Sequence, residues 1–477
     1  MDHKVNIDYS KVIVGLDIGT TKVACFIGQR DEQNPGKIKI LGYSKGQSEG
    51  ICRGEVINIV DAANTIKNVV GEAAKNANCA VKEVYVGIAG KHVKSLTSRS
   101  DITIPRDHDI VTQEDVDHLI ESQKDSLLLN PGEQIIHIMP QTYYIDGNEL
   151  SPRINHVGAR GRKFGANFHI VTGEEEAIRN IGRSVEMAGL KIKGVCLEPI
   201  ASAEAILTPV DLQTGTAIID IGGGTTDIAI FTKNAIRFTQ VIPFAGEVIT
   251  ADIENGCSIL SSQAETLKVK YGTCMPSDIQ KDAILSIRHP NPSHSAIQIS
   301  LKNLAEIIKA RTEDIIKLVV LALHDSGVAE KLGGGIVLTG GGSKLQGITN
   351  LVSYKTCIET RIGYPKEHLS PDTNIENISD PIFATCIGLV LHGFKELAEE
   401  ERKHGVKPNI EDVLDEPNND VKVEDNGTDD TNDTDDTDDT DNKKDKDNDS
   451  NHGLTRRIFD KVSKWAKDIL VGPDEVE

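Results

Sequence analysis

The chain has 477 residues, with 52 Lys or Arg against 73 Asp or Glu, which gives a formal net charge of −21. Its length predicts about two to four domains, and its acidic balance argues against a general nucleic-acid binder, which needs a basic surface. The eight Cys form no CxxC pair, which favours reduced thiols over disulfides, zinc sites or iron–sulfur sites.

Two segments share one pattern of strand, tight Gly/Thr turn and second strand. Residues 12–28 read VIVGLDIGTTKVACFIG and residues 216–232 read TAIIDIGGGTTDIAIFT, so that Asp17 aligns with Asp220. Apolar, often β-branched residues follow each turn, which predicts a second strand rather than a helix. The repeat therefore predicts two related α/β halves.

Each turn has the composition of an anion-binding loop. Glycines let backbone N–H groups approach a ligand closely, and successive N–H groups in such a turn form an anion nest. Asp17 and Asp220 lie near the end of the first strand of each hairpin, where they are placed to hold a Mg²⁺ ion through water. A single turn of this kind is explained more simply as a plain glycine hairpin. Two facing copies predict a clamp on a polyphosphate.

A third glycine-rich segment, GIVLTGGGS at 335–343, predicts a strand that runs into a turn. Ser343 is predicted to cap a helix that continues through Leu351. The segment is not a P-loop, because no Gly-Lys-Ser/Thr follows it, and its glycine spacing lacks the dinucleotide-binding fingerprint.

Together these segments resemble the nucleotide site of one ATPase superfamily. DIGTTK (17–22), DIGGGTTD (220–227) and GIVLTGGGS (335–343) are similar to the two phosphate loops and the adenosine loop of the actin, Hsp70 and sugar-kinase ATPases. EPIASA (198–203) and DPIFATCIGL (380–389) resemble the two connecting helices of that superfamily.

Within the superfamily the chain is similar to the FtsA family of bacterial cell division proteins. The resemblance rests on VYVGIAGKHV (84–93), VIPFAGEVITADI (241–253), AETLKVKYG (264–272) and GIVLTGGGSKLQGI (335–348). It implies an α/β, actin-like two-half ATPase fold with an FtsA-type inserted subdomain, then a disordered acidic tether and a C-terminal amphipathic helix. The implied segments are a first actin-like half at 1–90 and 171–211, the inserted subdomain at 91–170, a second half at 212–245 and 321–398, an adenosine-side subdomain at 246–320, an acidic linker at 399–453 and a membrane-targeting helix at 454–471.

The resemblance also implies ATP and Mg²⁺ as ligands and gives individual residues a role by position. The implied nucleotide-binding residues are Asp17, Gly19, Thr20, Thr21 and Lys22 in the first phosphate loop, Asp220, Gly222, Gly223, Gly224 and Thr225 in the second, Gly246 beside it, Glu265 and Lys268 over the ribose and adenine, and Gly341, Gly342 and Ser343 along the adenosine.

Two of the implied roles have simpler alternatives. Glu198 is implied to orient a hydrolytic water, as a carboxylate near the terminal phosphate can do, but it is equally explained as a structural residue that starts a helix. Glu265 and Lys268 lie three residues apart on one helix face, where a surface ion pair is the ordinary explanation. The family resemblance implies nucleotide binding more firmly than turnover, with at most weak ATP hydrolysis.

The C-terminal residues have two contrasting compositions. Residues 411–450 contain 18 Asp or Glu, 4 Lys and no aromatic residue, which predicts a disordered, self-repelling tether. Residues 454–471 regain helical spacing, with apolar and basic residues on opposite sides, which predicts a helix lying in a membrane surface rather than one packed on the body. The apolar face comprises Leu454, Ile458, Phe459, Val462, Trp465, Ile469 and Leu470, and the basic residues are Arg456, Arg457, Lys461, Lys464 and Lys467.

The resemblance implies a cell division scaffold. Such a protein would bind ATP, self-associate into filaments on an anionic lipid surface at the cytoplasmic face of the membrane, anchor the FtsZ ring at the division site, and recruit later division proteins through the inserted subdomain. The FtsZ C-terminal tail is expected to meet Lys302, Lys309 and Arg311, although a solvated helix face explains these residues nearly as well. The alternatives are a pilus-assembly-type actin-like ATPase and a small-molecule kinase. An Hsp70-like chaperone is disfavoured, because the residues after 395 are too few and too polar for a peptide-binding domain.

Overall fold

The computed structural model describes residues 12–403 except 35, 106–108, 152–154, 290, 292, 372 and 374–377. The predicted membrane helix at 454–471 and the acidic tether from residue 404 onward lie outside the described residues. The last helix continues to Lys403, so residues 399–403, which were assigned to the linker, are helical.

Eighteen strands and ten α-helices lie within the described part of the chain. The strands are β1 Val12–Ile18, β2 Lys22–Arg30, β3 Ile38–Gln47, β4 Ile51–Cys52, β5 Glu55–Val56, β6 Glu83–Ile88, β7 Lys94–Thr103, β8 Glu133–Ile145, β9 Asn148–Glu149, β10 Lys163–Glu174, β11 Lys191–Leu197, β12 Thr216–Ile221, β13 Thr226–Thr232, β14 Ala235–Ile242, β15 Ile284–Ile287, β16 Ile297–Ser300, β17 Ile336–Thr339 and β18 Thr360–Ile362. The helices are α1 Ile59–Ala77, α2 Gln113–Ser126, α3 Glu175–Met187, α4 Glu198–Ile206, α5 Pro209–Thr214, α6 Gly246–Cys257, α7 Ser261–Tyr271, α8 Leu301–Asp325, α9 Ile348–Thr356 and α10 Ala384–Lys403.

Two five-stranded sheets have the same topology. The first has the order β3-β2-β1-β6-β11 and the second the order β14-β13-β12-β17-β18. In each, three antiparallel strands are followed by two parallel ones. The first strand of each hairpin is almost entirely apolar and buried, as expected for a strand covered on both faces. The sequence repeat therefore corresponds to a repeated sheet.

Two helices, α4 and α10, cross beside the first sheet. A Cβ atom on Gly388 of α10 would lie 1.8 Å from the Ala201 carbonyl oxygen of α4, so the two backbones approach too closely for any side chain at that position. Among the described helices, Pro381–Lys403 is long and apolar enough to cross a membrane by length and composition, and 61% of its apolar window is buried inside the fold. This burial identifies it as a core helix. All eight Cys are free and five of them are buried.

A separate antiparallel sheet lies between β6 and α3 in the chain. Its order is β7-β10-β8-β9, and α2 covers one face. Helix α2 begins at a capping box in which Thr112 and Asp115 satisfy each other's backbone N–H groups. The sheet also contacts the edge strand β14 of the second half, where His169 Nε2 lies 2.8 Å from Thr239 Oγ1. The inserted sheet thus contacts both halves.

A third helical region follows β14. Helices α6, α7 and α8 share one apolar core with the second sheet, while β15 and β16 form a short antiparallel hairpin before α8. Helix α8 begins at Leu301 after the N-cap Ser300, whose hydroxyl accepts from Asn303 N. Ile299 belongs to β16 and precedes the helix.

Candidate functional site

A cavity of about 390 Å³ opens between the two hairpin turns. The turn β1–β2 lies on one side and the turn β12–β13 on the other. The starts of α4 and α6, helices α7, α8 and α9, and the loop after β17 complete the walls. The predicted nucleotide-binding residues all line this cavity except Ser343, and so does Glu198. The sequence-predicted residues are therefore brought together from six separate segments of the chain.

The two turns have the same backbone hydrogen bond and touch each other. Gly19 N donates to Lys22 O at 3.0 Å, and Gly222 N donates to Thr225 O at 2.9 Å. A Cβ atom on Gly224 would lie 2.4 Å from Thr20 Oγ1. A side chain at position 224 would therefore push the two turns apart.

The two aspartates proposed as magnesium ligands have different surroundings. Asp17 forms an ion pair and a hydrogen bond with Lys22, whose side chain is 27% exposed. Asp220 accepts hydrogen bonds from the hydroxyls of Ser202, at 2.7 Å, and Thr385, at 3.2 Å. Both carboxylates are thus held in fixed orientations at the base of the cavity.

A further buried carboxylate, Asp227, lines the cavity and was not among the predicted site residues. Its side chain is 2% exposed, Thr225 Oγ1 donates to its Oδ2 at 2.8 Å, and its Oδ1 has no hydrogen-bond partner. Burial, followed by repulsion from Asp220, raises the pKa of Asp227 to about 8. A charged residue inside an otherwise apolar β-strand was the sequence signal that could have found it.

Glu198 is the first residue of α4 and points into the same cavity. Burial and then repulsion from Asp17 and Asp227 raise the pKa of Glu198 well above its usual value. The cavity therefore gathers several carboxylates at its base, and their charged forms oppose one another.

This donor set fits a cation held through water rather than by direct ligation. Within the described residues no three His, Cys, Asp or Glu side chains converge as direct metal ligands. The partnerless Asp227 Oδ1 and the mutual repulsion of the carboxylates nevertheless leave the site short of positive charge. These carboxylates suit a hydrated Mg²⁺ ion, because Mg²⁺ usually keeps several of its waters when it binds to a protein.

The pair Glu265 and Lys268 differs from an ordinary surface ion pair. Lys268 Nζ lies 2.7 Å from Glu265 Oε2, and the Lys268 side chain is only 15% exposed. The same ammonium donates to Gly246 O at 2.9 Å and to Thr250 Oγ1 at 2.8 Å. Lys268 therefore fixes helix α7 against the start of α6 at the wall of the cavity.

The prediction that Ser343 caps a helix is wrong, and Ser343 does not line the cavity in which the adenosine was expected. Its side chain is fully buried and its hydroxyl donates to Gly340 O at 2.7 Å, away from the cavity. Residues Gly341–Lys344 form a 3-10 turn, and α9 begins only at Ile348, after Gly347 at φ 79°. Ser343 therefore caps no helix, because the left-handed glycine separates the turn from α9.

The three basic residues proposed for the FtsZ tail do not form one free patch. Arg311 Nε and Nη2 donate to the two carboxylate oxygens of Asp252, at 2.6 and 3.0 Å. Lys302 is exposed and Lys309 is partly exposed on α8. A partner that used Arg311 would have to compete with Asp252, so only the two lysines are available without rearrangement.

Two sheets of the same topology that enclose a cavity between their hairpin turns define an actin-like protein. Residues 217–388 match the family model described as cell division protein FtsA, and residues 90–172 match the model of the SHS2 domain inserted in FtsA. The chain belongs to the FtsA family of cell division proteins.

Three relatives support this membership. The cell division protein FtsA of Pseudomonas aeruginosa is 32% identical over 83% of this chain and 92% of its own length. That of Escherichia coli is 32% identical over 80% and 90%, and that of Neisseria meningitidis serogroup B is 36% identical over 79% and 88%. Among solved structures, the PilM–PilN type IV pilus biogenesis complex aligns at 15% identity with a TM-score of 0.56, covering 80% of this chain and 98% of that one. A likeness at this identity concerns the fold alone.

Proposed function

We propose that this protein binds ATP with Mg²⁺ in the cavity between the hairpin turns, assembles into filaments on the cytoplasmic face of the membrane, and holds the FtsZ ring there. The observation that carries the nucleotide part is the convergence of two glycine turns and a partly buried lysine, Lys22, on one cavity. Membership of the FtsA family supports the role in division.

The phosphates would lie between the two turns. Backbone N–H groups of the glycine turns and the Lys22 ammonium are donors of the kind that bind phosphate oxygens. Asp17 and Asp220, with Asp227 behind them, would hold Mg²⁺ through water, and the ion would offset the negative charge of phosphates and carboxylates. Glu265 and Lys268, with Gly341 and Gly342, would contact the nucleoside at the other end of the cavity.

Glu198 is the candidate for orienting water at the terminal phosphate. A general base works best when its pKa lies near the working pH, whereas burial, and then repulsion from the neighbouring carboxylates, raises the pKa of Glu198 well above its usual value. A bound divalent cation would oppose that shift by favouring the ionised form. We therefore expect weak hydrolysis that depends on Mg²⁺.

The membrane part of the proposal rests on the sequence of residues 454–471. Each basic residue near an anionic leaflet contributes about 1 kcal/mol, so one such helix is a marginal anchor. Filaments would present many helices to one surface and strengthen binding by avidity. Residues 411–453 would then act as the tether between filament and membrane.

For the partners, the exposed Lys302 and the partly exposed Lys309 offer positive charge to an acidic FtsZ tail. The inserted subdomain would be the surface for later division proteins, since it adds a sheet of its own beyond the two halves.

Nucleotide binding is tested with a fluorescent ATP analogue and the purified full-length protein, with Mg²⁺ or with EDTA. We expect saturable binding that ATP displaces and that weakens without Mg²⁺. Absence of binding under both conditions would overturn the nucleotide part of the proposal.

Membrane anchoring is tested by co-sedimentation with liposomes of phosphatidylcholine, with or without phosphatidylglycerol, in the presence of an FtsZ tail peptide. Full-length protein should pellet with the anionic liposomes and carry the peptide down, whereas a chain ending at residue 453 should do neither. Val462→Glu should release the protein, and Ser463→Glu, which adds the same charge outside the apolar face, serves as the matched control. Pelleting of the truncated chain would show that the anchor lies elsewhere.

A further inference from the structure

The short hairpin of β4 and β5 touches the first phosphate loop. Its turn consists of Arg53 and Gly54, and Gly54 N donates to Thr20 Oγ1 at 3.0 Å. Gly54 has φ +78°, and a Cβ atom there would lie 3.0 Å from Gly90 Cα. Glycine is therefore needed both for the backbone conformation and for the close approach to residue 90.

The same hairpin reaches across to the second half through Arg53. A Cβ atom on Gly224 would lie 2.8 Å from Arg53 Cα, so the backbone of Arg53 touches the second phosphate loop. The Arg53 guanidinium carbon lies 5.7 Å from the centre of the Phe244 ring, within the range of cation–π attraction. Arg53 has φ 49°, an uncommon conformation for a residue with a side chain, which the surrounding contacts hold in place.

The segment that Arg53 contacts is tied to the second phosphate loop. Thr226 Oγ1 donates to Phe244 O at 2.8 Å, and Glu247 N donates to Gly223 O at 2.7 Å. Burial raises the pKa of Glu247, and the positive charge of Arg53 opposes that rise. Phe244, Glu247 and the second phosphate loop therefore move as one unit, to which the Arg53 side chain is attached.

The other end of the hairpin touches the root of the inserted sheet. Glu55 Oε1 lies 3.5 Å from His92 Nδ1, and Glu55 Oε2 lies 3.9 Å from Lys91 Nζ. His92 is only 2% exposed, so its position follows that of its neighbours. Residues 90–93 form the short connection between β6 and β7, the first strand of the inserted sheet.

We propose that Arg53 is a positioning residue for the nucleotide, and that residues 51–56 link closure of the nucleotide cavity to the root of the inserted sheet. Arg53 does not line the cavity, so it acts through the second phosphate loop rather than on the phosphates. The proposal deepens the proposed function, since it requires that a nucleotide binds between the two turns.

The expected effect follows from the contacts. Separation of the two halves must precede release of a ligand clamped between them, and the hairpin contacts both phosphate loops, the first through Gly54 N and the second through Arg53. Loss of an exposed cation–π contact should therefore speed nucleotide release by about fivefold. Binding of a nucleotide should also slow hydrogen exchange at residues 90–93, because closure fixes the hairpin against them.

The test compares full-length wild type with Arg53→Ala, Arg53→Lys and Arg53→Gly. The glycine variant removes the guanidinium while keeping the left-handed conformation easily accessible, so a folding defect of the alanine variant is recognised. Arg99→Ala is the matched control, because the Arg99 guanidinium carbon lies 4.2 Å from the centre of the Tyr144 ring within the inserted sheet, away from the cavity. Displacement of a fluorescent ATP analogue gives the release rate, and hydrogen exchange with and without ATP gives the protection of residues 90–93.

We expect faster release and loss of the ATP-dependent protection in the alanine and glycine variants, partial rescue by lysine, and wild-type behaviour of Arg99→Ala. Unchanged release in Arg53→Gly would overturn the positioning role. Faster release with intact protection of residues 90–93 would overturn the link to the inserted sheet. If the wild type itself binds no ATP, the proposed nucleotide binding fails. That outcome is distinguished from failure of the positioning role, in which the wild type binds ATP and the Arg53 variants release it at the wild-type rate.

Discussion

The two phosphate loops share a backbone and differ in charge. Both turns close with the same hydrogen bond, and the strands on either side pair in the same register, so that Asp17 faces Ala24 and Asp220 faces Asp227. The first turn carries Lys22. The second turn carries a hydroxyl, that of Thr225, at the equivalent position.

The difference shows how a repeated fold builds a site that neither repeat could make alone. The first turn neutralises its own aspartate through Lys22, whereas the second has two buried carboxylates that only hydroxyl groups solvate. Burial lowers the pKa of Lys22, but the charge of Asp17 outweighs it and the net shift is upward. The first turn is therefore ready to meet phosphate oxygens, and the second requires a cation.

Removal of Lys22 should have the largest effect. Lys22→Ala leaves Asp17 buried without its partner, which costs about 3–5 kcal/mol of unfolding free energy, and should weaken ATP binding by about 100-fold. Denaturant unfolding and analogue titration measure the two effects. The double variant Lys22→Ala/Asp17→Asn should recover much of the stability while binding stays weak. Lys94→Ala, which breaks an exposed pair with Glu133, should leave the unfolding free energy and ATP binding nearly unchanged and serves as the control. Equal losses of stability and of ATP affinity in Lys22→Ala and Lys94→Ala would show that the first turn does not depend on the charge of Lys22.

Asp227 predicts that the stability of the protein depends on pH. Its pKa is raised from 3.8 to about 8 in the folded protein, so the stability present below pH 4 is lost as the pH rises through about 8. Asp227→Asn removes this loss and should melt about 3 °C above wild type at pH 9, with little difference at pH 5. Its affinity for Mg²⁺–ATP should fall about tenfold. Melting curves from pH 5 to 9, with and without Mg²⁺–ATP, test both statements. If the melting temperature of the wild type stayed constant from pH 5 to 9, ionisation of the buried Asp227 would not destabilise the fold.

Packing also differs between the two turns. Gly224→Ala should weaken ATP binding by about tenfold, because the new methyl group would lie 2.4 Å from Thr20 Oγ1 and 2.8 Å from Arg53 Cα. The equivalent residue of the first turn is Thr21, and Thr21→Ala should weaken binding less than Gly224→Ala does, because it introduces no clash between the turns. Gly182→Ala in α3, where a Cβ meets nothing within 4 Å, controls for glycine replacement and should stabilise the helix by about 0.5–1 kcal/mol. Equal affinities of the Gly224 and Thr21 variants would show that close contact of the turns is dispensable.

Local sequence patterns predicted the parts of the site that depend on neighbouring residues. Both hairpin turns could be predicted because glycine and β-branched residues act within a few positions. The burial of Ser343 could not, since it depends on the left-handed Gly347 and on packing under β17. Nor could the pairing of Arg311 with Asp252, because the two lie 59 residues apart in the chain. Sequence therefore predicts chemistry within a turn better than the partner that a long side chain finds.

The smallest expected effect lies at the nucleoside end and separates the two ends of the cavity. Lys268→Ala removes the bonds of its ammonium to Gly246 O and Glu265, and should weaken ATP binding about threefold. Because Lys268 bonds to Gly246, Thr250 and Glu265 rather than to the first turn, its loss should leave the affinity for inorganic tripolyphosphate unchanged, whereas Lys22→Ala should weaken both ligands. Competition of each ligand against the fluorescent analogue measures this split. If Lys268→Ala weakened tripolyphosphate as much as ATP, Lys268 would act by holding Gly246 against the second phosphate loop, where Gly246 N donates to Gly222 O at 3.1 Å. The nucleoside end would then contribute through the position of the loop rather than through contact with the base.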